Sequence, residues 1–180
     1  MKKSLIIVNT NKIESKELSI EISQYLQSKS ISSEFVNFDG FTANQEIKDF
    51  DFIITLGGDG TVLYAARNCV QSKIPIFPIN LGEFGFIASV SPDDWKSPLD
   101  DFLCGKAPIQ ERCMIKVVHS RGNVDKNTFL ALNDVVISSN MACRTIRLDI
   151  SYDSNHLCKL KSDGVIFATP TGSTAYSASA

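Results

Sequence analysis

Gly57-Gly58-Asp59-Gly60-Thr61 sets three glycines around one carboxylate, directly after the apolar run Phe52 to Leu56. Glycine lets a backbone approach a phosphate and turn its N–H groups toward it. A helix that starts there adds the positive end of its dipole. An aspartate in such a cradle would repel phosphate, so its presence points to a further role, either holding Mg2+ or taking a proton from a hydroxyl nucleophile. The alternative is a tight strand-to-helix turn that needs positive φ, with Asp59 as the helix cap. The stretch has neither the Gly-Lys-Ser/Thr ending of a Walker loop nor the G-x-G-x-x-G spacing of the dinucleotide fingerprint.

Three further stretches carry suitable groups. Asn80-Leu81-Gly82-Glu83-Phe84-Gly85-Phe86 follows another apolar run. It reads either as a glycine turn with two core phenylalanines or as a loop in which Phe86 walls a planar base. Asn133-Asp134 sets an amide beside a carboxylate, a pair able to bind ribose hydroxyls or adenine edges. The alternative there is a turn or bulge between strands. Asp163-Gly164 leads through Val165 to Ala168 into Thr169-Pro170-Thr171-Gly172-Ser173-Thr174-Ala175-Tyr176-Ser177. That loop is dense in hydroxyls able to hold phosphate or amide groups, or to cap a helix. His119 and His156 have no spaced partner and suggest neither a metal nor a triad. Cys69, Cys104, Cys113, Cys143 and Cys158 are odd in number and lack C-x-x-C spacing. They read as free thiols in a reducing cytosol rather than a zinc site or disulfide framework.

These groups need elements to position them. Ser4 to Val8 is a short apolar run suited to a buried parallel strand. Glu14 to Lys29 places Leu18, Ile22, Tyr25 and Leu26 at helical spacing. Glu34 to Phe38, Phe52 to Leu56 and Pro75 to Ile79 read as strands, and Thr61 to Cys69 as a helix. Such alternation implies crossover connections and a parallel sheet with helices on its faces. Ser91-Pro92 reads as the start of a short helix. Ser97-Pro98 reads as a second start, by the serine-cap, proline-first pattern, with Trp95, Leu99, Phe102 and Leu103 facing inward. After Gly105 the grammar changes to strands: Ile115 to His119, Phe129 to Leu132, Val135 to Ser138, the alternating Thr145 to Tyr152, and Val165 to Ala168. Asp153 to His156 reads as a turn, and the hydroxyl-rich loop after Ala168 as leading toward a helix expected to begin near Ala180. The expected fold is therefore an α/β N-terminal domain with a parallel sheet, residues 1–104, followed by a β-rich domain, residues 105–180.

Composition limits the partners. Of 180 residues, 43% are apolar and 21% charged, and 18 basic against 20 acidic residues leave a net charge of -2. That is the balance of a globular protein, and nothing in it favours a nucleic acid or a membrane as partner. No apolar run is long enough to span a bilayer, and the basic start Met1-Lys2-Lys3 is followed by too few apolar residues for a signal peptide. A cytoplasmic location is the expectation.

Taken in order, four motifs resemble NAD kinases over essentially the whole length. They are Gly-Gly-Asp-Gly-Thr, the Leu-Gly-x-x-Gly-Phe loop, the Asn-acid pair in a Leu-Asn-x-Val-Val-Ile strand, and Asp-Gly followed by Thr-Pro-Thr-Gly-Ser-Thr-Ala-Tyr-Ser. The last is the most specific. The first is shared with phosphofructokinases and diacylglycerol-type lipid kinases. The resemblance implies phosphoryl transfer from ATP, or in some members polyphosphate, to the adenosine ribose 2′-hydroxyl of NAD to make NADP. Mg2+ or another divalent metal would assist, in a cytoplasmic homo-oligomer, dimer or tetramer. It implies Asp59 as the catalytic acid residue in a phosphate loop of Gly57, Gly58, Gly60 and Thr61. It places Asn133 and Asp134 on the nucleotide, Phe86 near the adenine, and Thr171, Thr174, Ala175, Tyr176 and Ser179 along the pocket wall. Asp163 would contact nicotinamide nucleotide across a subunit boundary, and Arg144 and Lys161 would contact phosphate.

The chain departs from the family pattern in three ways. Asp134 stands where the family usually has Glu, which shortens its reach by one methylene. Lys161-Ser162 stands where the family has Arg-Gly, so the planar two-pronged donor is lost. Family members also continue well past the Thr-Ala-Tyr-Ser motif, so the β-rich domain is expected to be incomplete. A catalytically inactive nucleotide-binding fragment, or another kinase of the same glycine motif acting on a sugar phosphate or lipid, are the alternatives.

Overall fold

The computed structural model describes residues 1–82, 85–122, 125–141 and 143–180. The chain divides into two compact units, Met1–Glu111 and Arg112–Ala180.

In the first unit, β1 (Lys3–Asn9), β2 (Ser32–Phe38), β3 (Phe52–Gly57) and β4 (Ile76–Asn80) form a sheet in the order β2-β1-β3-β4. Every neighbouring pair is parallel. The central strands β1 and β3 are buried on both faces, which is why their sequences are continuous apolar runs. Successive side chains point to opposite faces. Ile6 and Val8 pack with Ile22 and Leu26 of α1 (Ile13–Ser28) and with Trp95 and Leu99 at α3 (Lys96–Leu103). Leu5, Ile7 and Ile53 pack on the other face with Tyr64, Ala65 and Cys69 of α2 (Asp59–Cys69). The chain thus goes from β1 to β2 on one side, then crosses to β3 on the other side of β1. The point between β1 and β3 is where the strand order reverses, and there open α/β sheets bind ligands beyond the carboxyl ends of the strands.

The second unit is built from antiparallel ladders: β5 (Ile115–Arg121) with β6 (Asp125–Ala131), β7 (Asp134–Ser138) with β10 (Gly164–Ala168), and β8 (Ile146–Tyr152) with β9 (Asn155–Ser162). The α/β unit with a parallel sheet and the β-rich part after it are as the sequence predicts.

Several local expectations are corrected. Asp153 and Ser154 alone make the hairpin turn, both at positive φ (47° and 66°), and Asn155 and His156 already belong to β9. Ser91-Pro92 opens a turn, not a helix. α3 starts at Lys96 without a side-chain cap, so Ser97 is not its cap. Its entry is fixed instead by buried Trp95, whose ring meets Tyr25 edge-on at 5.1 Å. The loop after Thr171 contains two short 3-10 turns, Gly172–Thr174 and Tyr176–Ala178.

Among the described residues the five cysteines are free. Cys69 is buried, which raises its thiol to about 11. No helix among the described residues is long and apolar enough to cross a membrane.

Candidate functional site

The glycine loop lies at the strand-order reversal. β3 ends at Gly57, and α2 begins two residues later at Asp59 with Gly58 flanking it in extended conformation. None of Gly57, Gly58 and Gly60 has positive φ, so handedness does not explain them. Close approach does at Gly57, where a Cβ would fall 2.2 Å from Thr61 Oγ1 and 3.0 Å from Asn9 Cβ. A Cβ at Gly58 or Gly60 would meet nothing within 4 Å, so the backbone there is open on its outer side. Asn9, at the end of β1, donates from Nδ2 to Thr61 Oγ1 at 3.4 Å and so ties the end of that strand to the first turn of α2. The sequence carried a signal for Asn9, a polar residue at the carboxyl end of a buried strand, but it was not among the expected site residues.

Asp59 does not cap its own helix. Its carboxylate reaches across to the segment after β4. Oδ2 accepts the Phe86 N–H at 3.0 Å, and Oδ1 accepts those of Ile87 and Ala88, each at 3.0 Å. Leu81 N–H donates to Gly57 O at 3.0 Å, which fastens the start of the same loop to the glycine turn. Phe86 is 59% exposed, so it is not a core phenylalanine. Glu83 and Phe84 lie outside the described residues. Asp59, Gly57, Gly58, Gly60, Thr61 and Phe86 are therefore brought together, with Ile87 and Ala88 as unforeseen backbone partners.

The second group forms within the second unit. Asn133 occupies a bend just before β7, and its backbone O accepts the Thr169 N–H at 2.8 Å. Buried Thr169 donates from Oγ1 to Leu132 O at 2.6 Å and accepts the Gly172 N–H at 3.1 Å. Gly172 lies so close that a Cβ would fall 2.0 Å from Asn133 O. Asn133 Oδ1 is buried and accepts no hydrogen bond among the described residues. Arg112, not foreseen from sequence, donates to Thr171 Oγ1 at 3.1 Å. Asp134 opens β7 opposite Ala168, so Asn133, Asp134, Thr171 and the turns carrying Thr174, Ala175, Tyr176 and Ser179 share one end of the β7–β10 ladder.

Asp163 lies at the other end, beside Gly164, which pairs with Ser138. The five residues of β10 lie between it and Thr169, so six residue steps separate the two, roughly 20 Å at strand rise. Lys161 is on β9 opposite Arg147, and exposed Arg144 precedes β8. Asp163, Arg144 and Lys161 thus stand apart from the Asn133 cluster.

Among the described residues no three His, Cys, Asp or Glu side chains cluster as metal ligands. Mg2+ in kinases is commonly held by one or two carboxylates together with substrate phosphates and water. Asp59, with part of its Oδ2 acceptor capacity left, fits such a minimal protein contribution.

The model described as the ATP-NAD kinase N-terminal domain matches residues 40–107, and that described as the ATP-NAD kinase C-terminal domain matches residues 132–180. The NAD kinase of Treponema denticola is 42% identical over 179 residues, covering 99% of this chain and 63% of the relative. That of Treponema pallidum (strain Nichols) is 38% identical, covering 98% and 58%. That of Clostridium botulinum (strain Kyoto) is 37% identical, covering 100% and 64%. The chain therefore spans 58% to 64% of the length of these curated relatives. An NAD kinase from Archaeoglobus fulgidus, solved in complex with ATP, matches with TM-score 0.76 at 23% identity over 100% of this chain and 65% of that one. Yeast NADH kinase complexed with NADH matches with TM-score 0.81 at 22% identity, over 99% and 60%. At that identity the two structures speak to the fold.

Proposed function

The chain belongs to the NAD kinase family, and from that premise we propose that it serves the transfer of a phosphoryl group from ATP to the 2′-hydroxyl of the adenosine ribose of NAD, yielding NADP. In this reaction the ribose oxygen forms a bond to the γ-phosphorus and the bond to the β,γ-bridging oxygen breaks. ADP leaves, and the hydroxyl proton passes to a base. The observation that carries the phosphoryl-transfer reading is a carboxylate set in an open glycine turn at the strand-order reversal of a parallel sheet.

Asp59 is the residue assigned to the hydroxyl. A carboxylate has about four acceptor directions, and Asp59 uses three on backbone N–H groups, leaving capacity on Oδ2. Gly58, Gly60 and the N-terminus of α2 are assigned to phosphate. The buried, unpaired Asn133 Oδ1 supports a nucleotide role for the Asn133–Asp134 bend, with Thr171, Thr174, Ala175, Tyr176 and Ser179 along its wall. A divalent ion bound to the donor phosphates would neutralise charge as the phosphoryl group moves. Asp163, distant from that bend, is assigned to nicotinamide nucleotide across a subunit boundary of a cytoplasmic homo-oligomer, and Arg144 and Lys161 to phosphate; polyphosphate is an alternative donor.

The test is direct. The protein is incubated with NAD, ATP and Mg2+, and NADP is read with an NADP-specific dehydrogenase. NADP should accumulate and Ala175→Leu should weaken NAD binding. No NADP from NAD with either ATP or polyphosphate, and no NAD binding by calorimetry, would refute the reading.

A further inference from the structure

Three consecutive backbone N–H groups, those of Phe86, Ile87 and Ala88, converge on one carboxylate 27 to 29 residues away. These amides lie outside any helix or strand, and Asp59 is their acceptor. Ladder bonding resumes only at Val90, which bridges to Ile79 and accepts the Asn80 N–H at 2.8 Å. The carboxylate itself is held rigidly, because Asp59 is the first residue of α2 and α2 is packed on the sheet through Tyr64 and Ala65. The position of the Phe86 segment is thus referred to α2 through a single side chain.

We propose that Asp59 is a positioning residue for the Phe86–Ala88 segment as well as the group assigned to the hydroxyl. Its carboxylate fastens the segment to the start of α2, so the exposed Phe86 ring and the glycine turn meet a ligand as one unit. A substitution at Asp59 then has two consequences of different kind: one on chemistry, one on where Phe86 stands. The second is separable, because it shows in the amides without any ligand and in affinity without any turnover.

The experiment has one arm for each. In the first, amide exchange of Phe86, Ile87 and Ala88 is measured by NMR in the wild type, Asp59→Asn and Asp59→Ala. The asparagine keeps one carbonyl oxygen but turns an NH2 group on one of the three donors. At least one of the three amides should therefore exchange about tenfold faster or more in Asp59→Asn, and all three in Asp59→Ala, with the β4 amides unchanged. Equal exchange in all three proteins overturns the proposal. Should the variants not fold, through-hydrogen-bond couplings from the three amide nitrogens to the Asp59 carboxylate carbon in the unaltered protein decide it, their absence being the overturning result.

The second arm rests on the dinucleotide reading and uses NAD as the probe. Asp59→Asn and Phe86→Ala should each weaken NAD about fivefold or more, and the double variant no more than the larger single effect, since asparagine keeps an acceptor oxygen for the hydroxyl and both losses then act through one ring. Multiplying effects would overturn the coupling. If the wild type binds no NAD, the dinucleotide reading fails, and the first arm alone settles the fastening.

Discussion

At the scale of single residues, glycines in this chain do two different jobs, and the difference is measurable. Gly172 is fixed by close approach: a methyl group there would fall 2.0 Å from Asn133 O, and a backbone oxygen cannot swing aside as a side chain can. Overpacking of this kind costs about 1–3 kcal/mol. Gly172→Ala should therefore lower the melting temperature of the second unit by several degrees, at about 4–8 °C per kcal/mol for a domain of this size. It should also pull Thr169 away from Leu132, whose carbonyl it now meets at 2.6 Å. Gly58 has ordinary φ (-92°) and open space around it, so Gly58→Ala should leave stability within about 0.5 kcal/mol of the parent. If the open side receives phosphate, Gly58→Ala should still reduce turnover. Calorimetric melts and NADP assays on both variants test the contrast. A destabilised Gly58→Ala together with an unaffected Gly172→Ala would show that the packing has been misread.

At the scale of elements, the first unit depends on how α1 and α3 are held to one face of the sheet. Burial of Leu26 and Leu99 contributes about 1.5–3 kcal/mol each. At the rim, Asp100 accepts from Tyr25 Oη at 2.7 Å and pairs with Lys29 Nζ at 2.8 Å. Lys29 first, and then Tyr25, hold the Asp100 carboxyl below its ordinary 3.8. A depressed carboxylate stabilises the fold above its unfolded value, and that contribution is lost as pH falls through the folded one. Melting temperature should thus fall between pH 5 and strongly acidic conditions, the Asp100 share being lost below 3.8. Asp100→Asn should flatten that part of the profile, and an identical acid limb in both proteins would remove Asp100 from the cause. The elements themselves were largely readable, because β1 and β3 are continuous apolar runs and α1 keeps its spacing. β9 was not: Asn155 and His156 are turn-forming types, and the strand is mostly exposed, so no apolar alternation marks it. The glycine loop was readable as a site from its composition. The bonds from Asp59 to residues 86–88 were not, because they join backbone groups whose residue types carry no trace of the contact.

At the scale of the whole chain, apolar burial is uneven. Both core clusters lie in Met1–Glu111, whereas from Arg112 onward Leu132 is the buried apolar side chain among the described residues. Val118, Phe129, Val136, Ile137, Tyr152, Leu157 and Phe167 are each more than two fifths exposed there. Among the described residues the strands of that unit pair in twos, and a two-stranded ladder is at best marginally stable without further cover. The 180-residue chain on its own should therefore not unfold in one step. Its single tryptophan, Trp95, is buried in the first unit and reports that unit alone. In a guanidinium titration, far-UV ellipticity should fall at lower denaturant than Trp95 fluorescence, because the second unit melts first. Light scattering should rise with protein concentration as the exposed faces associate. Superimposable transitions, with scattering of a monomer at every concentration, would show that the second unit is held by contacts its exposure does not suggest.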